Sequence, residues 1–225
     1  MKSTWFITGT DTGIGKTWCT LALMQYFKQQ GLRVAGMKPI ATGCYRQQAN
    51  LRNRDAELIL TTSELEVPYE WVNPYAFEPP IAPHLAATQV GITIELAHII
   101  DNYQHLVDYA DVIVIEGIGG WRIPLNPQQM LTDLVLALNV PVILVVGLRL
   151  GCINHALLTA EVIKSDGCRL TGWIANSIAP QFDSSGSIAT LKQRLARPLL
   201  AQMPYSINFD ISSLASNLII DKQII

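Results

Sequence analysis

Residues Thr8-Gly9-Thr10-Asp11-Thr12-Gly13-Ile14-Gly15-Lys16-Thr17 decide the fold. They follow the apolar run Trp5-Phe6-Ile7 and precede Trp18 to Gln30, where Leu21, Leu23, Met24 and Phe27 recur at helical spacing. A strand, a glycine-rich loop and Gly-Lys-Thr opening a helix predict a phosphate-binding loop. Its glycines let consecutive amides converge on an anion, and the helix start adds a positive dipole end. Lys16 supplies a mobile cation and Thr17 a hydroxyl for Mg²⁺. Five residues, one more than usual, separate Gly9 from Gly15, with Thr10 where a glycine is expected. An ordinary glycine-rich turn is the plainer alternative; Gly-Lys-Thr at a strand-to-helix junction argues against it.

Outward from this loop, strands and helices alternate. Arg33 to Lys38 reads as a second strand, which puts Lys38 at a carboxyl end, where open α/β sheets bind ligands. Ile40 to Asn50 is polar and predicts a loop over that edge, and Asn53 is a plausible N-cap for the next helix. Asp55 then falls in the first helical turn, where complementing the dipole and holding a metal are both open. Four prolines between Asn73 and Pro83 predict a shaped loop leading into a helix near Pro83. Helices over Pro83 to Gln89 and Ile94 to Asp108 lead to Asp111-Val112-Ile113-Val114-Ile115-Glu116-Gly117-Ile118-Gly119-Gly120. That is a buried strand ending in an acid and glycines. A carboxylate there needs a cation. Beside a phosphate loop Mg²⁺ is the economical one, the Walker B arrangement, with a structural salt bridge as the alternative.

Met130 to Asn139 predicts a helix and Pro141 to Gly147 another buried strand. Leu150-Gly151-Cys152-Ile153-Asn154-His155 opens a long helix to Asp166; its amides could hold a second anion, or it is simply a tight turn. Leu170 to Ala175 is a strand closed by Asn176, followed by a helix near Ser187 to Arg197 and a short strand Leu199 to Met203. The tail from Asn208 is uninformative. The economical fold is a single α/β domain over residues 1–225. It is a doubly wound, mostly parallel sheet with helices on both faces, of the P-loop NTPase type.

Composition agrees. Hydrophobic residues make up 49% of the 225 and charged ones 15%, which suits a buried parallel sheet. A net charge of −2 gives no reason to expect nucleic acid or a membrane surface as partner. No apolar run is long enough to cross a bilayer, and no signal peptide fits an N-terminus that runs straight into the loop. Cys19, Cys44, Cys152 and Cys168 form no Cys-x-x-Cys pair, so reduced thiols in a cytoplasmic protein are expected.

Gly9-Thr10-Asp11-Thr12 ahead of Gly15-Lys16-Thr17 resembles the signature loop of dethiobiotin synthetases, extra residue included. Lys38-Pro39, Val72-Asn73-Pro74-Tyr75, Pro83-His84, Glu116-Gly117, Gly120-Trp121, Gly151-Cys152-Ile153-Asn154-His155 and Gly172-Trp173-Ile174-Ala175-Asn176 extend the resemblance to Pro204. It implies a ligase that joins CO₂ (or bicarbonate) to 7,8-diaminononanoate with ATP as co-substrate and Mg²⁺ as cofactor. The route would be a carbamate and then a carbamic-phosphoric anhydride. It also implies a cytoplasmic homodimer whose substrate site is shared across the interface.

Residue by residue, Lys16 would contact the β/γ-phosphates, and Thr17, Asp55 and Glu116 would hold Mg²⁺. Lys38 would steady the carbamate and the phosphoryl in flight, with Thr12 beside them. Thr42 stands where the family often has serine against the diamine. Gly13, Ile14, Gly15, Trp18, Gly117, Ile118, Gly119, Asn176, Ser177, Pro204, Tyr205 and Ser206 would complete the ATP site, Asn176 reading the adenine edge. Gly151, Cys152, Ile153 and Asn154 of one subunit would meet the substrate carboxylate of the other. Some members carry an acid at the position of Gly13, so any role of that group is absent here. A partition or septum-positioning ATPase of the same broad fold is the alternative; those carry lysine where this chain has Asp11. A cobyrinate-type amide ligase would need a glutaminase domain for which 225 residues leave no room.

Overall fold

The computed structural model describes residues 2–206 and 210–220. β1 (Ser3–Gly9), α1 (Lys16–Gln29) and β2 (Val34–Met37) open the chain. Three short strands, β3 (Ile40–Ala41), β4 (Tyr45–Gln47) and β5 (Asn50–Arg52), precede α2 (Arg54–Ser63) and α3 (Tyr69–Val72). β6 (Tyr75–Ala76), α4 (Pro83–Gln89), α5 (Leu96–Tyr109) and β7 (Val112–Glu116) follow, then α6 (Leu131–Leu138) and β8 (Val142–Leu148). α7 (Cys152–Ser165), β9 (Leu170–Ser177), α8 (Ser185–Arg194), β10 (Leu199–Met203) and α9 (Ile211–Ala215) complete the described chain.

Six strands form one sheet in the order β10-β9-β8-β1-β7-β2, and every pairing in it is parallel. Parallel neighbours need crossovers, and the helices that supply them cover both faces. Alternation along β1 divides the core. Phe6 packs with Ile99 of α5, Leu134 of α6 and Ala156 of α7, whereas Trp5 and Ile7 pack with α1, Ile59 of α2 and Leu214 of α9. The four apolar positions expected to mark α1 are all fully buried. The doubly wound expectation therefore holds.

Two regions differ from the expectation. Residues 40–50 are not a plain loop: β3 pairs with β6, and β4 with β5 forms an antiparallel hairpin. The proline-rich segment also contains a strand, because β6 places its two residues between prolines rather than on them. The tail from Asn208 carries α9, packed against α1; residues 208–209 and 221–225 lie outside the described residues. Among the described residues no helix is long and apolar enough to cross a membrane.

Candidate active site

Register brings the carboxyl ends of the strands to one edge. Ile7 lies opposite Glu116, Met37 opposite Ile115 and Gly147 opposite Asn176. The loop after β1, Glu116 at the end of β7 and Lys38 just past β2 therefore meet, although they are far apart in sequence. A cavity of about 380 Å³ opens there, lined by Thr12, Gly13, Gly15, Lys16, Thr17 and Trp18 from the loop and α1. Lys38, Thr42, Asp55, Glu116, Ile118 and Gly119 line the rest, with Asn53 and Leu58.

Gly15 N-caps α1 in the left-handed conformation (φ 82°), which turns the chain from loop into helix. A Cβ on it would come within 2.2 Å of Asn176 Nδ2, which donates to the Ile14 carbonyl at 2.7 Å. Asn176 thus braces the phosphate loop with its amide nitrogen. The Lys16 ammonium donates to the Asp11 carbonyl at 2.8 Å and to the Gly119 carbonyl at 2.6 Å, joining the loop to the glycines after β7. Burial pushes Lys16 down to about 8, against the pull of Glu116 and with the push of Lys38.

Glu116 is the centre of the charge cluster, buried to 1% exposure. Its Oε1 accepts from Thr17 Oγ at 2.9 Å and from Lys38 Nζ at 2.6 Å. Lys38 Nζ also lies 3.4 Å from Asp55 Oδ2. Burial alone would lower the Lys38 pKa, but Glu116 and Asp55 outweigh it and hold the group above its ordinary range, so it stays an ammonium. Glu116 Oε2 is buried without a hydrogen-bond partner. An orphaned carboxylate oxygen beside a hydroxyl and a second carboxylate is a hard-oxygen set that fits Mg²⁺. Among the described residues no group of three or more His, Cys, Asp or Glu side chains could hold a metal alone. Mg²⁺ takes one or two carboxylates and leaves the rest to substrate phosphates and water.

The Val72-Asn73-Pro74-Tyr75 motif explains how Lys38 is held. Lys38 N donates to the Val72 carbonyl at 2.8 Å, and Asn73 Nδ2 donates to the Lys38 carbonyl at 2.8 Å. Asn73 Oδ1 accepts from the Tyr69 hydroxyl, which itself accepts from the Asn53 amide. Asn53 Oδ1 caps α2 by accepting from Asp55 N and Ala56 N, as expected, and so fixes Asp55 in the first turn. This relay carries Lys38 and Asp55 on one frame. Sequence reading found the cap but not the relay, whose links to Tyr69 and Asn73 depend on tertiary packing.

Other expected residues lie away from the cavity lining. Ser177 ends β9 beside Asn176. Met203 is opposite Asn176, so Pro204, Tyr205 and Ser206 leave β10 at the same sheet edge. Gly117 directly follows Glu116, where a Cβ would meet the Ile7 carbonyl at 3.1 Å. Gly151, Cys152, Ile153 and Asn154 are not in the cavity wall. Gly151 N-caps α7 with φ 89°, and the Cys152 amide is taken by the Arg149 carbonyl at 3.0 Å. Arg149, which sequence reading passed over, is ion-paired with Asp11 of the phosphate loop.

A family model described as an AAA domain matches residues 3–210. The ATP-dependent dethiobiotin synthetase BioD of Xanthomonas axonopodis pv. citri (strain 306) is 45% identical over 95% of this chain and 96% of its own. The proteins of the same name from Nitrosospira multiformis and Pseudomonas paraeruginosa are 46% and 47% identical, over 96% and 88% of this chain and 94% and 88% of theirs. Among solved structures, the MinC:MinD cell division protein complex of Aquifex aeolicus is similar at TM-score 0.57 and 16% identity, over 91% of this chain and 82% of that one. A ParA family ATPase from Chlorobium tepidum TLS gives 0.55 at 13% identity, over 91% and 84%. At those identities the two structures speak for the fold alone. Identity of about 45% running through nearly the whole of both chains is inherited rather than forced by architecture, and the chain belongs to the ATP-dependent dethiobiotin synthetases, within the AAA-domain family.

Proposed function

We propose that the cavity at the sheet edge carries out the ring closure for which the family is named, with residues 1–225 acting as one domain. One amine of 7,8-diaminononanoate, neutral at attack, forms an N–C bond with CO₂ and loses its proton, giving a carbamate. A carbamate oxygen takes the γ-phosphoryl group of ATP as the bond to ADP breaks. The second amine then forms the other N–C bond, phosphate leaves, and the ureido ring of dethiobiotin is closed. The observation that carries this reading is the Lys38–Glu116–Asp55–Thr17 cluster facing Lys16 across one cavity.

Each residue meets a physical demand of those steps. Lys16 holds the β/γ-phosphates, helped by the loop amides from Gly13 to Thr17. Lys38, kept protonated, lies against the carbamate and the charge that builds on the transferring phosphoryl. Thr12 lies beside the same groups, and Thr42 orients the diamine so that the carbamate stands in line with phosphorus. Thr17, Asp55 and Glu116 would hold Mg²⁺, which when bound neutralises phosphate charge. Asn176, Ser177 and Pro204 to Ser206 take the adenine side.

The diamine's carboxylate lies at the far end of a long chain from its amines, and Gly151 to Asn154 are outside the cavity wall of their own subunit. We assign that anchor to the neighbouring subunit of a homodimer. Four free cysteines fit a cytoplasmic location. The deciding assay is ADP release that requires diaminononanoate and bicarbonate together, with dethiobiotin found by mass spectrometry. ADP release at the same rate without the diamine would point to a nucleotide switch instead. For the shared site, a Gly151→Trp variant is mixed with a Lys38→Gln variant; activity should return, because one site of a mixed dimer carries neither lesion. A mixture that stays inactive after proven subunit exchange would confine the site to one chain.

A further inference from the structure

Asp11 sets an electrostatic problem. A carboxylate in a loop that must hold polyphosphate repels the ligand the loop is built for. It cannot simply swing aside, because its Oδ1 accepts from the Thr12 amide at 2.8 Å and so shapes the first turn of the loop. Its backbone carbonyl is also the rest for Lys16 Nζ. The Asp11 charge is felt at Lys16, where it favours the ammonium.

The structure supplies a counter-charge from a neighbouring strand. β8 pairs directly with β1, and Arg149, just past its end, donates from its guanidinium to Asp11 Oδ2. The side chains are 43% and 45% exposed, so the pair adds little to folding stability. Its weight lies in the field it sets at the loop. The backbone carbonyl of Arg149 meanwhile accepts from the Cys152 amide, which fixes the residue at the start of α7.

We propose that Arg149 is a positioning residue for nucleotide: through Asp11 it cancels the loop's own negative charge and holds the turn that Asp11 shapes. The loop thereby keeps a turn-forming carboxylate without its repulsion toward phosphate. This rests on the reading that the loop holds the phosphates of ATP, and the test separates the two.

Binding of a non-hydrolysable ATP analogue with Mg²⁺ is measured by calorimetry on the full chain, with melting curves to confirm folding. Arg149→Gln should weaken binding about tenfold, a modest loss for one uncompensated charge near the phosphates under screening. Arg149→Lys should recover most of it. Asp11→Asn should bind at least as tightly as the unmodified chain. Adding Arg149→Gln to Asp11→Asn should then change little, because no charge is left to cancel. In turnover, Arg149→Gln should raise KM for ATP and leave kcat near its starting value, which a general loss of structure would not do. Unchanged binding in Arg149→Gln would overturn the proposal. So would an equal tenfold loss in the Asp11→Asn background, since Arg149 would then be touching nucleotide directly. If Lys16→Gln binds the analogue as well as the unmodified chain, the phosphate-loop reading itself falls, and this inference with it.

Discussion

The chain makes the same backbone junction twice, on neighbouring strands. β1 runs into Gly15 and α1; β8 runs into Gly151 and α7, and both glycines are left-handed N-caps, at φ 82° and 89°. Everything around them differs. A Cβ at Gly15 meets Asn176 at 2.2 Å, whereas at Gly151 nothing lies within 4 Å. Gly15 borders a cavity with two buried lysines and a buried glutamate, while Leu150 beside Gly151 is 91% exposed. A helix start offers amides and a dipole, worth little in open water. Enclosure and fixed charges set one of the two apart as the junction that borders a charged cavity and leave the other open to solvent.

The sharpest test of this contrast removes a buried charge. Lys38→Gln should cut turnover by about 10²–10³, the usual loss of one preorganised electrostatic contact, while ATP affinity stays nearly intact. Loss of ATP affinity with full turnover at saturation would mean that Lys38 binds ground and transition states alike. Glu116→Gln should lose turnover on a similar scale, about 10²-fold, and shift the Mg²⁺ dependence. A Mg²⁺ titration identical to that of the unmodified chain would take Glu116 out of the metal set.

Next in size is the glycine at the enclosed junction. Gly15→Ala combines a left-handed alanine with displacement of the Asn176–Ile14 hydrogen bond, roughly 3 kcal/mol together, read as a lower Tm and lost nucleotide binding. A melting curve and analogue titration matching the unmodified protein would show that the brace is dispensable.

A smaller effect follows from Lys16, pushed down to about 8 by its burial. Phosphates need the ammonium, so ATP affinity should be level below pH 8 and weaken as pH rises above it, by up to about tenfold per unit. Calorimetry in buffers of different ionisation enthalpy should show proton uptake on binding in that range; binding without it would contradict the assignment. Stability of the nucleotide-free chain runs the other way. The folded value lies below the ordinary 10.5, so the unfolded chain holds more protons between about 8 and 10.5 and this contribution rises with pH.

The smallest effect belongs to the open junction. Gly151→Ala introduces only backbone strain, about 1 kcal/mol, and should leave ATP binding unchanged. An ATP affinity lowered as much as in Gly15→Ala would erase the distinction between the two junctions.

Much of this was legible in the sequence because its signals are local. The phosphate loop, the Asn53 cap and the α7 start each depend on residues within a few positions, through sterics and i→i+3 or i→i+4 hydrogen bonds. Resemblance to a family supplied expected residue roles that spacing alone does not give. The strands within residues 40–52 and 75–76 escaped notice because each is only two or three residues long; β3 and β6 gain their pairing from distant partners, while the β4–β5 hairpin is polar and exposed and carries no apolar alternation.

What the chain determines by itself is the set of parts: a glycine-rich anion loop, buried strands with polar ends, and the lysine and two acids that chemistry would use. Tertiary structure alone decided how they meet. Lys38 and Glu116 are 78 positions apart, Thr17 and Glu116 99, and Asp11 and Arg149 138. Their contacts exist because β1 lies between β7 and β8 with Ile7 opposite Glu116 and Gly9 opposite Val145. Strand order and register are set by which buried faces pack best across the whole sheet, a sum over distant residues that no single stretch contains.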